Sequence, residues 1–234
     1  YWIPRTNTVI FEPNGGNGQS IELATVTDAE IQLSNYSFSR VGYSLSGWST
    51  MADGSGEYYD SKSGFSVPAQ SSFIRLYAIW SANAIVLTFV GNGNDGGAMS
   101  AMETYCGQQI ILPNCSFVKI GYKCIGWGTT SDGTQIYNLD SLYSIPETDN
   151  TDIKLFARWE LEKYLITYDL DGGNNSSYNP SYYTYLSGEI KLQNPTKRGY
   201  EFLYWGGDEP IAAGSTGNKN YIAIWDRIEY SIKY

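Results

Sequence analysis

Short apolar runs recur in three sets along the chain, and each set begins with a run that leads into a glycine-containing turn. Asn-Gly and Asp-Gly favour turns whose two central residues have positive φ, and between alternating apolar runs they indicate hairpins. We therefore predict a strand and a hairpin turn at the start of each set. The runs and turns are Val9–Phe11 with Asn14–Gly16, Leu87–Phe89 with Asn92–Gly93, and Ile166–Tyr168 with Asp171–Gly173.

Two further kinds of strand follow in every set. A short strand is predicted at Ile31–Leu33, Ile110–Leu112 and Ile190–Leu192. An aromatic strand then closes each set at Leu76–Trp80, Leu155–Trp159 and Tyr221–Trp225. Alternate residues of a strand share one face, so the first, third and fifth residues of each closing strand are predicted to be buried. The opposite face carries Arg158 in one copy and is predicted to be partly exposed to water.

A GYxxxGW motif lies between the short and the closing strands. It stands at Gly42–Trp48, at Gly121–Trp127 and, with Tyr204 in place of the second glycine, at Gly199–Trp205. In a regular strand Tyr43 and Trp48 point to opposite faces, so burying both requires a bulge, which Gly47 or Gly126 can provide.

A second turn follows the motif in the first two copies. This turn contains Asp53-Gly54 in copy one and Asp132-Gly133 in copy two. We predict that Tyr58 and Tyr137 lie at matching positions after it.

The repeat pattern predicts the architecture. No segment shows a helical apolar period, so the fold is predicted to be mainly β. Within that, we predict an α+β, β-grasp-like class with little or no helix. Three tandem small modules are expected to lie end to end. The predicted boundaries are 1–81, 82–160 and 161–227, with 228–234 either the start of a further repeat or a closing strand.

Composition supports this interpretation and narrows the function. The chain holds 21 Tyr, 7 Trp and 25 Gly, which suit strands and turns. A net charge of −9 and a pI near 4.5 argue against a nucleic-acid partner and against an anionic membrane surface. No apolar stretch is long enough for membrane insertion in this segment. We expect the chain to be a monomer.

Histidine is absent, which excludes Ser-His-Asp and Cys-His nucleophiles and His-containing zinc sites within this chain. The three cysteines align with ordinary residues of the first copy: Cys106 with Thr27, Cys115 with Tyr36, and Cys124 with Leu45. Their spacing matches no zinc or redox motif, so structural roles are predicted, with Cys124 buried. No catalytic residue, metal ligand or cofactor is predicted.

The elements follow one another as a strand, an Asn-Gly-Gly turn, GYxxxGW, an Asp-Gly turn and a final aromatic-Ala-x-Trp. This order resembles the Listeria-Bacteroides repeat, also called the internalin B-repeat module. Ala213–Asn218 in copy three is similar to the shorter variant of that repeat. The chain departs from the pattern at Tyr204 and at Asn94, which stands where the other copies have glycine. The resemblance implies a bacterial extracellular or cell-surface protein, secreted or anchored, built from small β-grasp-like modules that act as stalks, spacers or adhesion segments. The family motif contains no catalytic residues.

Two alternative functions remain open: a binding module, and an enzyme, which would require a cleft with two facing carboxylates. The repeated Trp residues are predicted to be core, but aromatic side chains found in one copy only are candidates for binding a glycan or a protein of a host or a neighbouring cell. The candidates are Tyr178, Tyr182, Tyr183 and Tyr185. The acidic groups, Glu147, Asp149 and Asp152 in one loop and Asp208-Glu209 in another, are predicted to be solvated loop charges.

Overall fold

The computed structural model describes residues 5–69 and 72–231 of the chain, and in them three consecutive sets of strands, called repeats one, two and three below, follow one another. Repeat one contains β1 (Thr6–Glu12), β2 (Ile21–Val26), β3 (Glu30–Gln32), β4 (Tyr43–Ser49), β5 (Tyr58–Asp60), β6 (Gly64–Ser66) and β7 (Phe73–Ala82), with a 3₁₀ turn at Leu33–Asn35. Repeat two contains β8 (Ala84–Val90), β9 (Met102–Tyr105), β10 (Gln109–Ile111), β11 (Tyr122–Gly128), β12 (Leu142–Ser144) and β13 (Asp152–Leu161). Repeat three contains β14 (Tyr164–Asp169), β15 (Tyr182–Tyr183), β16 (Tyr200–Gly207) and β17 (Lys219–Arg227).

One sheet order is common to the three repeats. It is β2-β1-β7-β4 in repeat one, where β5 extends the edge, β9-β8-β13-β11 in repeat two, and β15-β14-β17-β16 in repeat three. The first and last strands pair in parallel in repeats one and three, and the GYxxxGW strand pairs antiparallel with the last strand in all three. Repeats one and two add a two-stranded sheet each, β3-β6 and β10-β12. A mainly β fold of three tandem repeats is thus confirmed, while the β-grasp assignment and the end-to-end arrangement stay predictions.

By the packing of its backbone the chain forms two compact units, whose boundary runs through repeat two. The first takes in the described residues up to Thr88, with Ser100–Leu112 and Ser141–Lys154. The second takes in Phe89–Met99, Pro113–Asp140 and the described residues from Leu155 onward. The predicted module boundaries stay a prediction.

The glycine turns have the positive φ angles that were predicted for them. Asn14 and Gly15 have φ of 46° and 87°, Asn92 and Gly93 have 53° and 83°, and Asp171 has 43°. Each first strand also pairs antiparallel with the next strand along the chain, as predicted for a hairpin, but none of these hairpins has a tight turn. In repeat one Phe11 pairs with Ile21 across a longer connection, and the partners of β8 and β14 lie even further along the chain.

These turns pack against the closing tryptophans instead of joining paired strands directly. The indole N–H of each closing tryptophan donates to the carbonyl that precedes the turn. The pairs are Trp80 with Pro13 at 3.1 Å, Trp159 with Gly91 at 2.9 Å and Trp225 with Leu170 at 3.1 Å. The closing tryptophans are therefore only half-buried, whereas the leucine and alanine on the same face, Leu76 and Ala78 in repeat one, are fully buried as predicted.

Two of the three tryptophans of the GYxxxGW motif are among the most deeply buried aromatic residues. Trp48 and Trp127 are fully buried, and Trp205 is half-buried. The predicted bulge is confirmed, because the register of the motif strand shifts in every repeat just before the second glycine position. The shifts lie between Leu45 and Gly47, between Cys124 and Gly126, and between Phe202 and Tyr204. Tyr204 is tolerated because its side chain is exposed.

The prediction that Arg158 lies on a wet face is wrong. Its side chain is only 8% exposed, and its guanidinium donates to the carbonyls of Thr130 at 2.6 Å, Ser131 at 2.9 Å and Gln135 at 3.3 Å. A buried cation is costly unless it is hydrogen-bonded, and here the loop after β11 wraps around the arginine and supplies the acceptors.

Two local predictions also need correction. Tyr59, rather than Tyr58, is the counterpart of Tyr137, because Trp48 pairs with Tyr59 and Trp127 with Tyr137. The turn in repeat two is one residue shorter, so a constant sequence offset misaligns the tyrosines.

The predicted strand at Ile190–Leu192 is reduced to a single bridge between Ile190 and Ile211. At the carboxyl end, residues 228–231 contain no strand, and residues 232–234 of the predicted further strand lie outside the described residues.

Candidate functional site

The four tyrosines singled out in repeat three lie in different environments. The side chain of Tyr178 is 85% exposed and that of Tyr182 is 59% exposed. Tyr183 is buried, and Tyr185 is half-buried. Only Tyr178 and Tyr182 therefore present their rings to solvent.

Tyr183 is a core residue. Its hydroxyl donates to the carbonyl of Gly217 at 2.6 Å, and its ring centroid lies 5.4 Å from that of Tyr164. Burial, and secondarily the nearby Asp208 carboxylate, raise the pKa of Tyr183. The structure thus assigns this hydroxyl to holding the loop before β17.

A shallow cavity of about 360 Å³ brings together two of the four tyrosines, Tyr182 and Tyr183, with Lys163, Thr184 and Ser187. Tyr178 and Tyr185 do not line it. The arrangement offers an exposed aromatic face, hydroxyl groups and one ammonium group, which suits contact with a polar surface.

A second cavity in repeat three, of about 200 Å³, lies over the core beside Trp205. Its walls include Leu192, Ile211 and Tyr221, and the Asp208 carboxylate lies at the same site. Sequence reasoning did not predict this cavity, because the residues that line it belong to the apolar pattern of the fold.

The Gly-Tyr pair that opens each motif forms a corner with a basic side chain stacked on the tyrosine. The basic group lies over the ring at 3.9 Å for Arg40 on Tyr43, at 4.7 Å for Lys119 on Tyr122 and at 4.3 Å for Lys197 on Tyr200. The glycines have φ of 78°, 77° and 81°. A basic residue three positions before each motif tyrosine is the sequence signal that could have revealed these contacts.

This corner binds the chain that follows it. The carbonyl of Gly42 accepts a hydrogen bond from the backbone N–H of Asn83 at 2.9 Å, and the carbonyl of Gly121 accepts one from Glu162 at 2.9 Å. Each donor lies in the short connector to the next repeat. The backbone N–H of Ile228 donates in the same way to the Gly199 carbonyl at 3.0 Å, so each of these bonds extends the pairing of a motif strand with the closing strand of its own repeat.

At the first corner, acidic residues of repeat two add side-chain contacts. The Asp149 carboxylate accepts from the backbone N–H of Gly42 at 2.8 Å. The Glu147 carboxylate accepts from the Tyr43 hydroxyl at 3.3 Å and pairs with Arg40 at 3.5 Å. Part of the predicted solvated acidic cluster thus serves as hydrogen-bond acceptors for the preceding repeat.

Two of the other acidic residues accept hydrogen bonds from nearby residues. Asp152 accepts from Thr88 at 2.8 Å, and Asp208 accepts from the backbone N–H of Asn220 at 2.6 Å. In the described part of the chain no three or more Cys, Asp or Glu side chains converge into a possible metal site.

The cysteines carry free thiols. Cys106 is buried, whereas Cys124 is half-buried, less than predicted. Burial, followed by the hydrogen bond with the Cys124 thiol, raises the pKa of Cys115 to about 12. A thiol with such a pKa stays protonated at neutral pH, and only the thiolate is a good nucleophile.

Comparison with known sequences decides the family. The sequence profile of the Listeria-Bacteroides repeat domain matches residues 8–79, 86–158 and 164–222. The chain belongs to the Listeria-Bacteroides repeat family. The matched segments coincide with the three strand sets, so each Listeria-Bacteroides repeat contributes one four-strand core with the common order described above.

Two relatives come from Evansella cellulosilytica. One, named as a Gly-rich membrane protein, is 32% identical over 213 residues, which are 84% of this chain and 24% of the relative. The other, named as a membrane protein, is 28% identical over 211 residues, which are 89% of this chain and 29% of the relative. The chain thus spans about a quarter of the length of these relatives. Within residues 5–69 and 72–231, no helix has the length and apolar character needed to cross a bilayer.

Proposed function

We propose that the chain is a non-catalytic segment of a bacterial cell-surface or secreted protein, where its Listeria-Bacteroides repeats act as a stalk or spacer and take part in adhesion. The observation that carries the proposal is the set of contacts that Asp149 and Glu147 of repeat two make with the Gly-Tyr corner of repeat one. A connector of a few residues with side-chain contacts across the joint limits bending between these neighbouring repeats, which is what a spacer requires.

The chemistry of the described side chains supports a non-catalytic role. The residues of the family motif pack in the core, as Trp48 and Trp127 do, or hold turns, as Trp80 does. Histidine is absent from the chain, and the one thiol with a resolved pKa shift has a raised pKa. An extracellular or surface position is supported by the family and by relatives named as membrane proteins.

Small-angle X-ray scattering on the purified chain tests the spacer role. A compact single body of this length has a radius of gyration of roughly 17–18 Å. We expect a clearly larger value and an elongated distance distribution. A value at the compact limit would show that the repeats fold back on one another and would contradict the spacer role.

A second candidate is a binding module for a glycan or for a host or neighbouring-cell protein. The exposed rings of Tyr178 and Tyr182 favour it, because an exposed aromatic face can stack on the apolar face of a ligand. Changing both to Ser tests it on a glycan array and on immobilised host matrix proteins. Binding that is lost while the thermal unfolding midpoint is unchanged would support this role, and wild-type binding retained by the double variant would rule these tyrosines out. Tyr183 should be left intact, since it belongs to the core.

A further inference from the structure

The cavity beside Trp205 arises where repeat three lacks an aromatic ring that the other two repeats supply. In each repeat the same isoleucine of the short apolar run pairs with one residue from a later segment. The pairs are Ile31 with Phe65, Ile110 with Tyr143, and Ile190 with Ile211. Repeat three therefore has an aliphatic side chain at the position where repeats one and two bury a ring.

Repeat three also has a smaller and more exposed side chain two residues further along the chain. Two residues after these partners stand Val67 and Ile145, both buried, whereas the corresponding residue of repeat three is Ala213, which is exposed. The segment between β16 and β17 is also shorter than its counterpart in repeat one, and only an isolated bridge replaces the β3-β6 sheet.

The core residues around this position are less buried in repeat three than their counterparts in repeats one and two. Leu33 and Leu112 are fully buried, but their counterpart Leu192 is half-buried. Trp205 is half-buried where its two counterparts are fully buried. The missing volume thus remains open as a cavity of about 200 Å³.

The chemistry of the cavity suits an aromatic ring next to a positive charge. Trp205 and Tyr221 supply aromatic surface, and Leu192 and Ile211 supply aliphatic surface. Two acidic residues, Glu189 and Asp208, also line it with one basic residue, Lys191, whose ammonium lies 3.9 Å from the Glu189 carboxylate, so the lining has one negative charge in excess. Drug-sized ligands occupy pockets of about 300–1,000 Å³, so this smaller space fits a single ring or side chain. An apolar cavity of similar size, about 150 Å³ in an engineered protein, binds benzene.

We propose that this cavity is a receptor site for one phenylalanine or tyrosine side chain presented beside a basic group by a partner protein. The partner's ring takes the place that Phe65 and Tyr143 fill from within repeats one and two, and its positive charge lies near Glu189 and Asp208. The site lies within repeat three, so the proposal is independent of whether the three repeats form an extended spacer.

Tyrosinamide is a suitable probe because it carries a phenol ring and a protonated amine. It is titrated into the full chain, and binding is followed by the NMR signals of the tryptophan indole N–H groups. The Trp205 signal is identified as the one that disappears in Trp205→Phe. We expect saturable movement of that signal with a dissociation constant of about 1 mM, the range for a ligand of this size. The absence of any saturable shift of the Trp205 signal at several times that concentration would overturn the proposal.

Ile211→Phe restores the missing ring and should abolish tyrosinamide binding while the thermal unfolding midpoint stays the same or rises. Ile222→Phe is the matched control, since it makes the same change at an exposed position of β17 and should leave binding unchanged. Binding to Ile211→Phe with wild-type affinity would contradict the proposed site.

A third variant keeps the test decisive if Ile211→Phe does not fold. Glu189→Lys alters an exposed border charge and should weaken tyrosinamide binding by about two- to fivefold, the effect of one exposed charge. N-acetyltyrosinamide, which has the same ring without the positive charge, should bind the wild type and Glu189→Lys equally. If Glu189→Lys weakened the binding of both probes equally, or of neither, the basic group would have no part in binding at this site.

Discussion

The side-chain amide of Asn92 donates a hydrogen bond to the main-chain carbonyl of Ala157, with 3.0 Å between the two atoms. Asn14 makes the same bond to Ala78 in repeat one, at 2.9 Å. The third repeat has Asp171 at this position, also with positive φ, and its carboxylate accepts from Lys197 instead. The turn asparagine therefore has two roles in repeats one and two: it adopts the turn geometry and ties the turn to the closing strand.

We expect Asn92→Asp to lower the free energy of unfolding by about 1–3 kcal/mol, because a carboxylate cannot donate to the carbonyl it faces. Denaturant unfolding followed by tryptophan fluorescence measures the change. Asp171→Asn is the matched control and should cause no comparable loss, since no such bond is made there. Equal stability of Asn92→Asp and the wild type would show that the amide serves only the turn.

The glycines of the three Gly-Tyr corners allow backbone strain to be separated from packing. A methyl group on Gly199 meets no other atom within 4 Å, so Gly199→Ala should cost only the strain of positive φ, about 1–2 kcal/mol. On Gly42 it collides with the Cys106 sulfur, and on Gly121 with Tyr185. Gly42→Ala and Gly121→Ala should therefore destabilise the chain more than Gly199→Ala in urea unfolding. Three equal losses of stability would mean that the corners accommodate the methyl group without a steric cost beyond the strain of positive φ.

Arg158→Met should lower the free energy of unfolding by about 1–3 kcal/mol, because the three loop carbonyls lose their donor. Hydrogen exchange should also speed up in residues 130–135, which the guanidinium holds. Ile79→Met, at the corresponding position of repeat one, keeps the volume and should cost less than about 1.5 kcal/mol. A stable Arg158→Met variant with unchanged exchange would show that the loop is held by other contacts.

Two half-buried tyrosines predict a loss of stability in alkali. Burial is the main reason that the pKa of Tyr59 and that of Tyr168 rise to about 12. The ordinary value is about 10, so between about pH 10 and 12 the unfolded chain has lost protons that the folded chain still holds. The tyrosine contribution is fully present below about pH 10 and is lost as the pH rises toward 12.

Unfolding midpoints measured on both sides of about pH 10 check this expectation. Tyr168→Phe removes one titrating group, so its alkaline loss should be smaller than that of the wild type. At neutral pH the same variant should be slightly less stable, because it lacks the hydrogen bond from the hydroxyl to the Pro180 carbonyl at 2.8 Å. An alkaline loss identical in both proteins would contradict a role for Tyr168.

The sequence by itself determined the features that depend on neighbouring residues and on repetition. The positive φ at Asn14 and Gly15 follows from their residue types, and the alternation in Leu76–Trp80 was enough to identify a buried face. The bulge before Gly47 also followed, because the strand period and the need to bury Trp48 leave no other solution. Repetition strengthened each of these predictions, since the same local physics acts three times.

Only the tertiary structure decided which distant groups meet. The half-buried state of Trp80 depends on its bond to Pro13, and the burial of Arg158 depends on carbonyls more than twenty residues away. The cavity beside Trp205 depends on the pairing of Ile190 with Ile211. Such contacts are set by strand register and loop length, where a change of a single residue gives every side chain a new neighbour, so local pattern could not reveal them.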